Sequence, residues 1–81
     1  MWYIKGAAPL DRVSRELELE LPVKKYDTFA GFVFSILGHI PEDGIWAESE
    51  APELQLSEGL RIKILEIRER RLERALVQSL D

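Results

Sequence analysis

Residues 27–44 write one helix together with its start and its stop, and no other passage constrains the fold of this chain as much. Asp27 or Thr28 can accept hydrogen bonds from the first free backbone N–H groups of that helix. Phe29, Phe32, Val33, Ile36 and Leu37 recur at helical spacing and make one apolar stripe. Gly38 suits the left-handed position just past the helix end, and Pro41 forbids continuation. Gly31 is the odd member. A glycine in a helix interior costs about 1 kcal/mol relative to alanine, so its presence predicts that another backbone passes too close for a Cβ.

The 81 residues make one domain, which at this size buries roughly 60–65% of the surface its unfolded chain exposes. There is no cysteine, so disulfides, thiolate metal sites and thiol nucleophiles are excluded and stability has to come from packing. The longest nearly apolar run, Phe29 to Leu37, is far below the ~20 residues that cross a bilayer. No basic region followed by an apolar signal segment opens the chain, and a soluble polypeptide is expected. Net charge is −4 but unevenly spread. Residues 1–60 carry five basic and eleven acidic side chains, and residues 61–81 six basic and four acidic, giving −6 and +2. A nucleic-acid binder needs a net basic surface, so the bulk charge argues against that class and leaves the C-terminal arginines as the only counter-signal.

Residues 1–5 form a short aromatic and β-branched run ended by Gly6, which reads as a strand. Pro9 opens a second helix in which Leu10, Val13 and Leu17 share a face. From Glu16 to Leu21 leucines alternate with glutamates, predicting that the chain leaves this helix in an extended form before Pro22, and Lys24 and Lys25 follow as a solvated linker. After Gly44, residues 45–47 start another strand, a polar loop runs to Glu53, and Leu54 and Leu56 extend the strand briefly. Leu60, Ile62 and Ile64 alternate with Arg61 and Lys63, and the phase slips at Leu65 to Ile67, the signature of a bulge. Beyond it the pattern is ambiguous. Leu72, Ala75, Leu76 and Leu80 keep helical spacing in a segment rich in Arg, Glu, Leu and Ala, while Leu72, Arg74 and Leu76 alternate as a strand would.

Tyr26-Asp27-Thr28 with Ala30-Gly31, followed by Leu37-Gly38, Ile40-Pro41 and Gly44, resembles the transporter-associated domain of the CorC/HlyC family. Trp2-Tyr3-Ile4 with Gly6, Pro9-Leu10 and Arg70-Arg71-Leu72 extend the likeness over nearly the whole chain. The family implies an α+β domain related to one half of a flavin-binding fold, placed after a tandem pair of CBS modules in membrane proteins concerned with magnesium and cobalt efflux. It also implies a hairpin rather than a helix over residues 68–80, its second strand running from Leu72 through Val77. Arg68-Glu69 then stand where a positive φ is wanted, and neither favours it.

Few residues carry a pattern that points to chemistry. His39 is the only histidine, which rules out a multi-histidine metal cluster, and no serine sits in a nucleophile-elbow motif. At a helix C-terminus an imidazole has a sufficient structural reason to be there. Glu42, Asp43, Glu48, Glu50, Glu53 and Glu58 lack the spacing of a hard-cation loop and read as a solvated acidic segment. The five glycines are dispersed, so no phosphate-cradling loop exists. Flavin binding is supported by fold-level analogy alone.

The expectation is therefore an α+β fold over residues 1–81: two helices at 9–18 and 27–37 packed on a small antiparallel sheet from 44–50, 60–67 and 71–78, with the N-terminal strand at an edge. The expected function is a non-catalytic regulatory and interaction module on the cytoplasmic side of a magnesium/cobalt efflux or hemolysin-like membrane protein. Its partners would be the CBS and membrane domains of that parent and a second copy in a homodimer, with no nucleic acid and no insertion into the membrane. Neither cofactor nor metal site is expected, and the alternative is a small ligand-binding domain for FAD or an adenine nucleotide. Candidate contact residues are Phe34 and Trp46, as an apolar patch, and Arg68, Arg70, Arg71 and Arg74, as a patch for a partner or a phosphate.

Overall fold

The computed structural model describes residues 1–56 and 59–79. Strand β1 (Trp2–Lys5) leads through a turn into helices α1 (Leu10–Leu17) and α2 (Phe29–Leu37), after which β2 (Gly44–Ile45), β3 (Glu53–Leu56), β4 (Leu60–Arg68) and β5 (Arg71–Ser79) follow. The sheet is antiparallel in the order β1-β5-β4-β2, and β3 also pairs with β4. β1 is thus an edge, as the sequence predicts.

The helix written between residues 27 and 44 forms with Thr28, not Asp27, as its cap: Thr28 Oγ1 accepts from Gly31 N at 3.2 Å. It stops at Gly38, whose φ of 79° only glycine adopts without cost. Phe29, Phe32 and Val33 are buried, each burial contributing about 1.5–3 kcal/mol. Ile36, expected on the stripe, is 43% exposed, while Leu37 beside it still packs against the core. α1 runs through Leu17, so the alternation from Glu16 onward does not mark an extended exit. The helix closes instead on Glu18 at φ 56°, and Ser14 Oγ donates to Leu19 O. The two helix starts are tied together by Leu10 N to Asp27 O and Phe29 N to Ala8 O, both 2.9 Å.

Both helices pack on one sheet face. Ile4, Leu60, Ile62, Ile64, Ile67, Leu72, Ala75 and Val77 supply the sheet side of that core, and Leu10, Val13, Leu17, Phe29, Phe32 and Val33 supply the helix side. The close backbone approach predicted at Gly31 lies elsewhere. A Cβ on Gly31 would meet Thr28 Oγ1 at an ordinary 3.5 Å, whereas one on Gly6 would sit 1.9 Å from Leu72 O. A glycine with no close neighbour in α2 costs helix propensity and gains no contact, so the residue pattern misplaced the constraint.

The strand expected over 44–50 is also corrected. Trp46 N donates to Leu65 O, and Ile64 N donates to Pro52 O, so residues 47–51 loop out between two adjacent residues of β4. β2 and β3 are the two halves of one interrupted edge. The bulge predicted at Leu65–Ile67 is present, with register shifts on both sides of Glu66. One consequence is that Leu65 is buried, 2% exposed, without belonging to the helix-side core.

The ambiguous C-terminus is a hairpin, not a helix. Arg68 pairs with Arg71 across a two-residue turn of Glu69 and Arg70, both at positive φ (54° and 62°), the geometry a tight antiparallel turn requires. The strained pair is therefore 69–70 rather than 68–69. The helical option loses because β5 lies between β1 and β4, and without it β1 would lose its only ladder and β4 the ladder on one side.

Candidate functional site

The end of the β4–β5 hairpin gathers most of the charge the sequence singles out. Glu69 and Arg70 carry the turn in a conformation that disfavours side-chain-bearing residues. The compensation comes from Asp43, just before β2: Oδ2 accepts from Glu69 N at 2.8 Å and Oδ1 from Arg70 N at 3.0 Å. A carboxylate across two backbone N–H groups is held in its ionised form, so the Asp43 pKa lies below the ordinary aspartate value, with the Arg70 N–H the largest cause and the Glu69 N–H the next. Asp43 has no local sequence signal for this role, since its partners come 26 and 27 residues later.

Arg68 and Arg71 stand directly opposite one another, a like-charge pair that cross-strand packing disfavours. Glu66 relieves part of it: its Oε2 lies 3.1 Å from Arg68 Nη2 and its Oε1 3.0 Å from Arg74 Nε. These exposed pairs are worth at most about 1 kcal/mol. Arg68 and Arg74 thus each have a carboxylate partner. Arg70 and Arg71 are exposed and form no ion pair within 4 Å among the described residues, so of the four arginines they are the two left to meet something else.

Phe34 and Trp46 are half-buried and pack against the core, offering only part of their surface. The large apolar side chains most exposed among the described residues are others, with Met1, Tyr3 and Ile45 each above 60%. His39 Nδ1 lies 3.1 Å from Leu37 O at the end of α2, in keeping with a helix-end role. Among the described residues no group of three or more His, Asp or Glu side chains could hold a metal ion. The hollow that touches Arg70 is lined by Ile40, Pro41, Glu42 and Asp43, with no aromatic face for a flavin or adenine ring. No helix of the described residues is long and apolar enough to cross a membrane.

The acidic loop has a task the sequence did not disclose. Tyr3 OH donates to Glu48 Oε2 at 2.7 Å, joining β1 at one edge of the sheet to the loop that leaves the opposite edge. Tyr3 pairs with Leu76, which is fully buried yet outside the helix-side core. Residues 47–51 therefore lie as a strap over the sheet face away from the helices. The bond to Glu48 raises the Tyr3 pKa, with slight desolvation second.

A family model described as the transporter associated domain CorC_HlyC matches residues 1–81. No curated protein is a significant match. Among solved structures, the chain is similar to the CorC_HlyC domain from a Xylella fastidiosa Temecula1 hemolysin in complex with Mg++ and Mn++, at 28% identity and a TM-score of 0.74, covering 98% of this chain and 86% of that one. A hemolysin domain from Enterococcus faecalis V583 is similar at 25% identity and a TM-score of 0.79, over 98% and 87% of the two chains. A CorC_HlyC domain from Haemophilus ducreyi has 25% identity and a TM-score of 0.75, over 96% and 86%. The two-helix, antiparallel-sheet architecture is common to this group.

Proposed function

The chain belongs to the CorC_HlyC transporter associated domain family, and on that footing we propose that it is a non-catalytic regulatory and interaction module of a magnesium/cobalt efflux or hemolysin-like membrane protein. It works on the cytoplasmic side, where it passes a conformational bias between CBS modules and the membrane domain. The observation that carries this reading is the hairpin end. Arg70 and Arg71 are held outward on a turn that is strained by its own residues and braced from a distant loop. A sequence that keeps opposed arginines and a costly turn at an exposed tip, offset only in part by Glu66 and Asp43, breaks local rules in the way a contact site does. Phe34 and Trp46 lend the partly exposed rims of their rings to the same role, and Arg68 and Arg74, tied to Glu66, set the local charge.

The test is ion flux in the reconstituted parent protein, comparing wild type, the Arg70→Glu/Arg71→Glu double variant and a domain deletion. Charge reversal at two exposed sites should leave the stability of the domain within about 0.5 kcal/mol while altering the regulation of flux. Deletion without any change in flux or its regulation would overturn the module reading.

A further inference from the structure

Strand β1 leaves one side of its backbone free. Gly6 N donates to Glu73 O, continuing the β1–β5 register, and Ile64 N points away from β5 to Pro52 O. Antiparallel ladders alternate, so both bonds agree that Trp2 and Ile4 face β5 and that the backbone of Tyr3 and Lys5 faces outward. Lys5 O is already taken by Ala8 N, at 3.0 Å. Among the described residues, what remains without a backbone partner is Tyr3 N–H, Tyr3 C=O, Lys5 N–H and Met1 C=O.

Alongside that edge runs a hollow of ≈ 470 Å³ with Ile4, Ala8 and Val13 as its apolar part and Lys5, Arg12 and Glu16 as its polar part. Arg12 and Glu16 form no ion pair within 4 Å among the described residues.

We propose that this edge and hollow are where a second copy of the chain docks, β1 against β1 across a two-fold axis, with Tyr3 opposite Tyr3. That register uses each open group once. The two Tyr3 residues exchange N–H and C=O, and each Lys5 N–H meets the second copy's Met1 C=O, giving four hydrogen bonds and one continuous sheet. It sets the second copy's Trp2 opposite Ile4 on the helix side, where the hollow receives the indole and the Arg12 guanidinium can lie on its face. The axis stands perpendicular to the sheet, so the two α1 helices come side by side and antiparallel. Arg12 of one then faces Glu16 of the other, and one unpaired cation and one unpaired anion become two ion pairs. This self-complementary charge is what selects a second copy over an unrelated strand. The inference deepens the interaction-module reading by naming one partner.

Sedimentation equilibrium of the 81-residue chain, from about 10 µM to about 1 mM, reads the association directly. The wild type and Tyr3→Phe are expected to show the same monomer–dimer equilibrium. Tyr3→Pro removes an edge N–H that makes no bond within the monomer, a position where proline is tolerated, and it should weaken the dimer by about tenfold or more while far-UV dichroism is unchanged. Arg12→Glu and Glu16→Arg should each weaken self-association, and an equimolar mixture of the two should restore a dimer, because every contact across the axis is then of opposite charge. A wild type that stays monomeric at the highest concentration overturns the proposal, and so does a dimer indifferent to Tyr3→Pro and to the charge variants. Neither result touches the flux comparison, which judges the module reading separately.

Discussion

Asp43 Oδ1 accepts the backbone N–H of Arg70 at 3.0 Å, so a residue before β2 braces a turn 27 positions later. With Oδ2 on Glu69 N, the same carboxylate takes both donors of the turn. The sequence thus reaches with a side chain from outside the hairpin what an Asn-Gly turn reaches from within it.

The cost of that turn can be measured. Replacing Glu69 and Arg70 by Asn and Gly should raise the unfolding free energy by about 0.5–1 kcal/mol, since the left-handed region penalises residues with a Cβ. Urea midpoints of wild type and double variant check it. Asp43→Ala should lower the midpoint, and by more than Asp43→Asn, whose amide oxygen still accepts one bond.

Two pH dependences follow from opposite shifts. The Asp43 pKa is lowered on folding, so its contribution is complete above the unfolded value, near 3.8, and is lost as pH falls through the lower folded value. Tyr3 is raised, so its contribution is complete below about 10.0 and is lost as pH rises through the higher folded value. Denaturation midpoints across both ranges should drop less steeply on the acid side in Asp43→Asn and on the alkaline side in Tyr3→Phe.

Gly6 and Gly31 should respond oppositely to the same substitution. Gly6→Ala drives a methyl into the Leu72 carbonyl and should cost at least about 2 kcal/mol. Gly31→Ala places its methyl in ordinary contact and gains helix propensity, about 0.5–1 kcal/mol. Thermal melts of the two variants decide it, and a destabilised Gly31→Ala would restore the close approach to α2.

Magnesium or cobalt at millimolar concentration should leave the melting temperature of the domain unchanged. A ligand that binds only the folded state must raise it by mass action, and the acidic side chains of the described residues converge in no group of three. A saturable rise would mean that the folded domain holds a cation site.

What the sequence determined by itself is what neighbours along the chain decide. The α2 helix, its Gly38 stop, the buried face of α1, the short strand at the N-terminus and the bulge near Leu65 were all legible, because caps, residue spacing and a phase slip are local. Residues 68–79 were not. Their spacing serves a helix or a strand equally, and the choice fell to β5 because its neighbours β1 and β4 need their hydrogen bonds met and because Leu72, Ala75 and Val77 together close the core over the helices. The same holds for Gly6 against Leu72, Tyr3 with Glu48 and Asp43 with Arg70. Each joins residues far apart in the chain, where spacing carries no information and only the packed sheet brings the partners within reach.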